Sequence, residues 1–122
     1  MGKFANDSVL DDGLDLIKNN CNLQIACSAQ PTTRTEAVTT YALADVAMTS
    51  SDFTVQDNGS SGRELVIAAK TAVPVDTTST ITHLALVSAS ELLFVTTTGS
   101  LPVADTETIA IPEWKIRVND PT

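Results

Sequence analysis

One histidine, two cysteines and a scatter of carboxylates are the side chains that could do chemistry in this 122-residue chain. A nucleophile–base pair would have to use His83, the only histidine. It stands inside the apolar run ITHLALV, where a lone imidazole reads as a hydrogen-bonded core or interface residue. No G-x-S-x-G elbow is present. If Cys21 to Cys27 is one extended strand, the two thiols share a face about 20 Å apart at ~3.3 Å per residue. A disulfide needs Cα atoms within roughly 7 Å, so these two do not pair with each other. They read as small apolar side chains, with an intermolecular disulfide or a metal site as the sharper alternatives. The single histidine and the absence of C-x-x-C weigh against zinc. Asp11, Asp12 and Asp15 match no calcium loop and suit the start of a helix instead. Asp45, Asp52 and Asp57 could supply carboxylate pairs for glycoside chemistry, but nothing singles them out. Gly59 to Gly62 lacks the G-K-[ST] ending and the following helix of a phosphate-binding loop. Trp114 could stack on a sugar, yet its alternation with Ile116 and Val118 makes it a core anchor. The expectation is a protein that is not an enzyme, with no cofactor, no metal and no small-molecule substrate.

Composition narrows the partners. The net charge is −8, with seven Lys and Arg against 15 Asp and Glu. Binding to a phosphate backbone needs clustered cations, and the nearest thing here is the pair Lys115 and Arg117. Nucleic acid is therefore not expected as a partner. No stretch has the length and apolarity of a membrane span, and Met1-Gly2-Lys3 is followed by no apolar leader, so the expectation is folding in a cytoplasm. Asn6 stands where a myristoylated chain carries Ser or Thr. Charged residues are only 18 % of the chain and hydrophobic ones 43 %. So little charge on so apolar a chain points to surface covered by a partner.

These residues must be positioned by short elements of one domain, 1–122. The sequence centres on Ile81 to Thr98, two apolar runs around the break Ser88-Ala89-Ser90-Glu91. That pattern predicts a hairpin in the middle of a β structure, with Leu92 and Phe94 opposing Leu93 and Val95. Ahead of it, Ser8 caps a helix that carries Val9, Leu10, Leu14 and Ile17 on one side and stops at Asn19-Asn20. Strands are predicted over Asn22 to Ser28, Leu43 to Met48, Phe53 to Asp57 and Arg63 to Lys70, with a turn at Asp57 to Gly62. Thr35 to Ala42 reads as a loop with one short turn. Pro74 confines Val73 and Val75 to an edge. Gly99 to Pro102 turns the chain, and Thr106 to Ile111 and Glu113 to Val118 close it. The count is one N-terminal helix and seven or eight short strands, an antiparallel β-sandwich or partly closed barrel.

The segments MGKFANDSVLDDGLDLIKNN, CNLQIACSAQPTTRTEA, SGRELVIAAK, THLALV with LLFVTTT, and IPEWKIRVNDPT follow in this order over nearly the whole chain. Together they resemble a family of small virion structural proteins of tailed bacteriophages. The resemblance implies a virion component and brings no catalytic motif. The expectation within it is a capsid decoration, or cement, protein on the outside of the head. Such a protein bridges subunits of the major capsid protein and associates with itself, as a trimer where it surrounds local three-fold axes. The alternatives are a tail or head–tail joining protein, or a tail-fibre carbohydrate-binding module. Candidate partner contacts are Lys3 and Phe4 on an N-terminal arm, Tyr41 as the best exposed aromatic, and Lys115 with Arg117.

Overall fold

The computed structural model describes residues 7–57 and 62–118, with side chains from residue 11 onward. The arm residues Lys3 and Phe4 and most of the Asp57–Gly62 turn lie outside the described residues, and Ser8, expected as the cap, lies inside a helix that begins at Asp7. The protein is mainly β. Helix α1 (Asp7–Asn20) is followed by β1 (Leu23–Cys27), β2 (Ala42–Ala47), β3 (Phe53–Asp57), β4 (Arg63–Ile67) and β5 (Lys70–Pro74). Then come β6 (Ser79–Val87), β7 (Leu92–Val103), β8 (Thr108–Ile111) and β9 (Trp114–Val118). All pairings are antiparallel, in sheets of order β2-β1-β6-β7, β3-β4-β9 and β5-β8. The sheets do not close into a barrel. The strand beyond the seven or eight expected is β5, which among the described residues forms a sheet with β8 alone, so Pro74 costs no ladder bond in a central position.

Helix α1 exists because its apolar stripe has somewhere to go. Leu14 and Ile17 are buried with Met48, Phe53, Leu65, Ile67, Leu86 and Ile116 in the first core cluster. Burying each of these two helix side chains contributes about 1.5–3 kcal/mol, more than a helix this short can supply alone. Asn20 donates from Nδ2 to the Leu16 carbonyl at 2.8 Å and so ends the helix as read. Arg63 ties helix to sheet, with Nε 2.7 Å from Asp11 Oδ1 and one terminal nitrogen 2.6 Å from Asp57 Oδ1.

A second cluster, between the four-stranded sheet and β5–β8, holds Ala26, Leu43, Ala44, Val73, Val75, Ile81, Leu84, Val103 and Ile111. A third, on the opposite face of the four-stranded sheet, holds Ile25, Cys27, Ala37, Ala85 and Val87. Ala37 enters it from a π-helical turn, Glu36–Thr40, within the segment expected as a loop with one short turn. Glu36 makes that turn possible by accepting from Thr32 N and Oγ1 at 2.8 and 2.7 Å.

The Ile81–Thr98 hairpin forms, but three features differ from its sequence reading. β6 is central while β7 is an edge strand of its sheet. The pairing steps from Leu86↔Phe94 to Val87↔Leu92, a bulge at Leu93. Leu92 therefore joins Val95 on the third cluster, and Leu93 joins Phe94 on the first. Finally, Gly99 to Pro102 does not turn the chain. β7 runs on through it to Val103, absorbing the glycine as a second bulge. Similarly, the strand read as Arg63 to Lys70 is broken: β4 ends at Ile67, and Lys70 begins β5.

Candidate functional site

Two consecutive strands, β7 and β8, are joined by the turn Ala104–Glu107 yet do not pair with each other. Each has bulged on its other side. On β7, the register passes from His83↔Thr97 to Ile81↔Leu101, so Thr98, Gly99 and Ser100 stand against Thr82 alone. On β5, the register passes from Lys70↔Ile111 to Val73↔Ile109, so Thr71 and Ala72 stand against Ala110. Ala72 has φ 54°, a left-handed conformation that an alanine adopts only when the pairing around it demands it. Bulges bend strands and raise their twist. Here a bulged pairing lies on the far side of each strand as the two leave their shared turn.

The gap is a cleft of about 390 Å³. Its floor is Ala26, Ile81 and Leu84 of the second core cluster. One wall is Thr96 to Gly99 with Leu101 from β7, and the other is Ile109 to Ile111 from β8. Pro112, Trp114 and Lys115 close one end. The lining is apolar with a threonine rim, and Lys115 is its only charged residue.

Trp114 is fixed from behind. Its Nε1 donates to Gln24 Oε1 at 2.8 Å, and its ring lies 6.1 Å from that of Phe94, tilted by 35°. Gln24 is fully buried on β1. The expected core anchor is thus half in the core and half in the cleft wall.

Lys115 and Arg117 converge on Glu64, which β4 places opposite Arg117 across the β4–β9 ladder. Lys115 Nζ is 3.5 Å from Glu64 Oε2 and Arg117 Nε 3.2 Å from Oε1. Gln56 donates to Oε2 at 2.7 Å. That hydrogen bond first, then the two cations, hold the Glu64 carboxyl below the usual carboxylate range against the opposing effect of burial. Asp52 is likewise held low. Burial would raise it, but Lys70 Nζ at 2.9 Å and the Thr49 amide at 2.8 Å outweigh that.

The remaining sequence candidates do not gather at the cleft. Tyr41 is half-buried against the third cluster, not the exposed aromatic expected, because the π-helical turn folds it inward. His83 is half-buried on β6, with Nδ1 2.8 Å from Thr82 Oγ1. Cys21 precedes β1 and belongs to the first cluster, while Cys27 belongs to the third, so the two do not share a strand face as expected. Both thiols are free, and burial pushes each up to about 11. Among the described residues no three His, Cys, Asp or Glu side chains come together to hold a metal, and no helix is long and apolar enough to cross a membrane.

Gln24 and Glu64 were not singled out from the sequence. Their signal is a polar residue at an inward position of an apolar strand, which must bring a partner with it. The cleft carried no such signal, because Thr-Thr-Thr-Gly reads equally well as a strand or its end.

Fold and cleft together define a mainly β, sandwich-like protein with an unpaired strand edge beside an apolar groove. No family model matches the chain, and no curated protein and no solved structure matches it.

Proposed function

We propose that this protein is a non-enzymatic structural component of a bacteriophage particle, a capsid decoration protein bound to the outside of the head and bridging major capsid subunits. The observation that carries this reading is the outer edge of β7. Leu92 to Val103 contains no charged side chain, and among the described residues that strand pairs on one side only. Monomers that live free in solution guard such edges with charge or cover them. A subunit held against a lattice of neighbours has no need of that defence. The segments that resemble virion proteins of tailed phages support the same reading, as does a hydroxyl-rich surface of low charge density.

The same edge favours one alternative, a tail or head–tail joining protein, whose subunits would join edge to edge in a ring or tube. Copy number separates the two. The ratio of this polypeptide to the major shell subunit in purified particles is measured by quantitative mass spectrometry. A decoration protein gives parity or a simple fraction of it. A handful of copies per particle moves the protein to the joint or tail, and absence from the particle overturns the virion reading.

A further inference from the structure

We infer that the cleft between β7 and β8 receives one extended strand donated by another polypeptide, which pairs with the outer edge of β7 and sets apolar side chains on the second core. The inference deepens the reading above, on which it rests only in taking the donor to be a neighbouring particle protein.

The two walls specify an extended chain. β7 offers its regular ladder over residues 94–97, where it pairs one-to-one with β6 on the other side, and it enters the cleft at Thr96. Among the described residues β8 has no strand partner on the side away from β5. A strand entering here meets backbone donors and acceptors on its flank and the apolar floor beneath it. It satisfies the first with its own backbone and the second with every other side chain. The floor takes bulky apolar groups, because Ile81 and Leu84 offer no polar partner.

Charge narrows the donor further. The cleft's one cation, Lys115, is engaged by Glu64. Exposed Asp105 and Glu107 lie on the turn at its narrow end, Glu113 lies just past β8, and the chain carries −8 overall. A strand ending in Lys or Arg complements this rim, whereas a second copy of so acidic a chain is repelled by it.

Trp114, the only tryptophan, lines the cleft and reports its occupancy. The probe is a short synthetic peptide alternating Val and Thr between terminal lysines, titrated into the full chain and followed by Trp emission. Its twin carries N-methyl groups on alternate backbone nitrogens, which remove donors and leave the side chains intact. Saturable binding below about 1 mM is expected, with at least a tenfold loss for the twin. Alternate β7 amides over residues 94–97 are expected to gain protection from hydrogen exchange. Leu101→Lys, which puts a charge on the cleft's apolar wall from an exposed position paired with Ile81, is expected to weaken binding at least tenfold.

No saturable response, equal binding of the twin, or full binding by a folded Leu101→Lys each overturns the inference. If Leu101→Lys does not fold, the comparison of the two peptides on the unaltered chain decides alone. Sedimentation showing a dimer, with those amides protected before any peptide is added, makes a second copy the occupant and also overturns it. Binding is read on the isolated chain and copy number on the particle, so either reading can fail without the other.

Discussion

Replacing Trp114 by Phe tests how the cleft wall is anchored. The substitution keeps an aromatic ring and removes the indole N–H that Gln24 accepts at 2.8 Å. Gln24 is fully buried, and the other end of its amide has only the Met48 sulfur at 3.7 Å, a weak acceptor. Its carbonyl oxygen is left without a partner and without water. An orphaned buried acceptor costs about 1–3 kcal/mol. The smaller ring gives up about 1 kcal/mol more in buried area, and the Phe94 contact is partly kept. Trp114→Phe is therefore expected to destabilise the protein by about 2–4 kcal/mol, read as a lower urea midpoint at unchanged slope. Gln24→Met removes the acceptor instead. It should cost less, because Met leaves no buried polar amide on β1 and the Trp114 ring is itself only half-buried. The double variant completes the cycle. If the hydrogen bond matters as the geometry says, the two losses are not additive, and the coupling is about 1 kcal/mol or more. A Trp114→Phe cost under about 0.5 kcal/mol, or additive losses, would refute the account.

Two further outcomes are expected. Gly13 lies on the exposed side of α1, and a Cβ there meets nothing within 4 Å, so Gly13→Ala should stabilise the protein by ~0.5–1 kcal/mol; an unchanged or lower melting temperature counts against a formed helix at that position. The Glu64 and Asp52 carboxyls sit below their ordinary values in the folded protein, so between the two values the unfolded chain binds more protons and acid favours it. The melting temperature should be level from pH 7 to about 5 and fall below that, and Glu64→Gln should lower the plateau and shallow the fall; an identical acid limb in the variant would show that Glu64 is not part of it.

Much of the architecture was legible from period and punctuation. The helix stops where Asn19-Asn20 said it would, β3 and β9 have the predicted bounds or nearly so, and Pro74 marks an edge. What could not be read are the bulges. A bulge shifts the side-chain period by one residue without any change of composition, so Leu92 and Leu93 exchange faces and Gly99 passes for a turn. Tyr41 was misjudged for a related reason. Glu36 nucleates a helical turn through Thr32, a side-chain contact that propensities of Thr39 and Thr40 cannot show. The cleft is a product of such shifts. Its walls come from β7 and β8, but its existence depends on bulges they share with β6 and β5.

An open seam of this kind costs the isolated protein little. Its backbone groups face water, and a hydrogen bond to water replaces most of what a ladder bond would give, the net difference being only about 1 kcal/mol per bond. The loss is in the walls, where Leu101 is half exposed and Ile109 and Trp114 are only half-buried above the buried floor of Ile81 and Leu84. Closing β7 onto β8 would cover them, but it would require the Thr98–Ser100 and Thr71–Ala72 bulges to be drawn back into register, and nothing in the chain provides for the surplus residues. An incoming strand covers the same walls with the bulges left in place. The apolar gain that intramolecular closure cannot reach is thus available to a partner. A fold whose three cores are buried while its cleft walls keep exposed apolar surface is stable before assembly and still has burial to contribute on assembly.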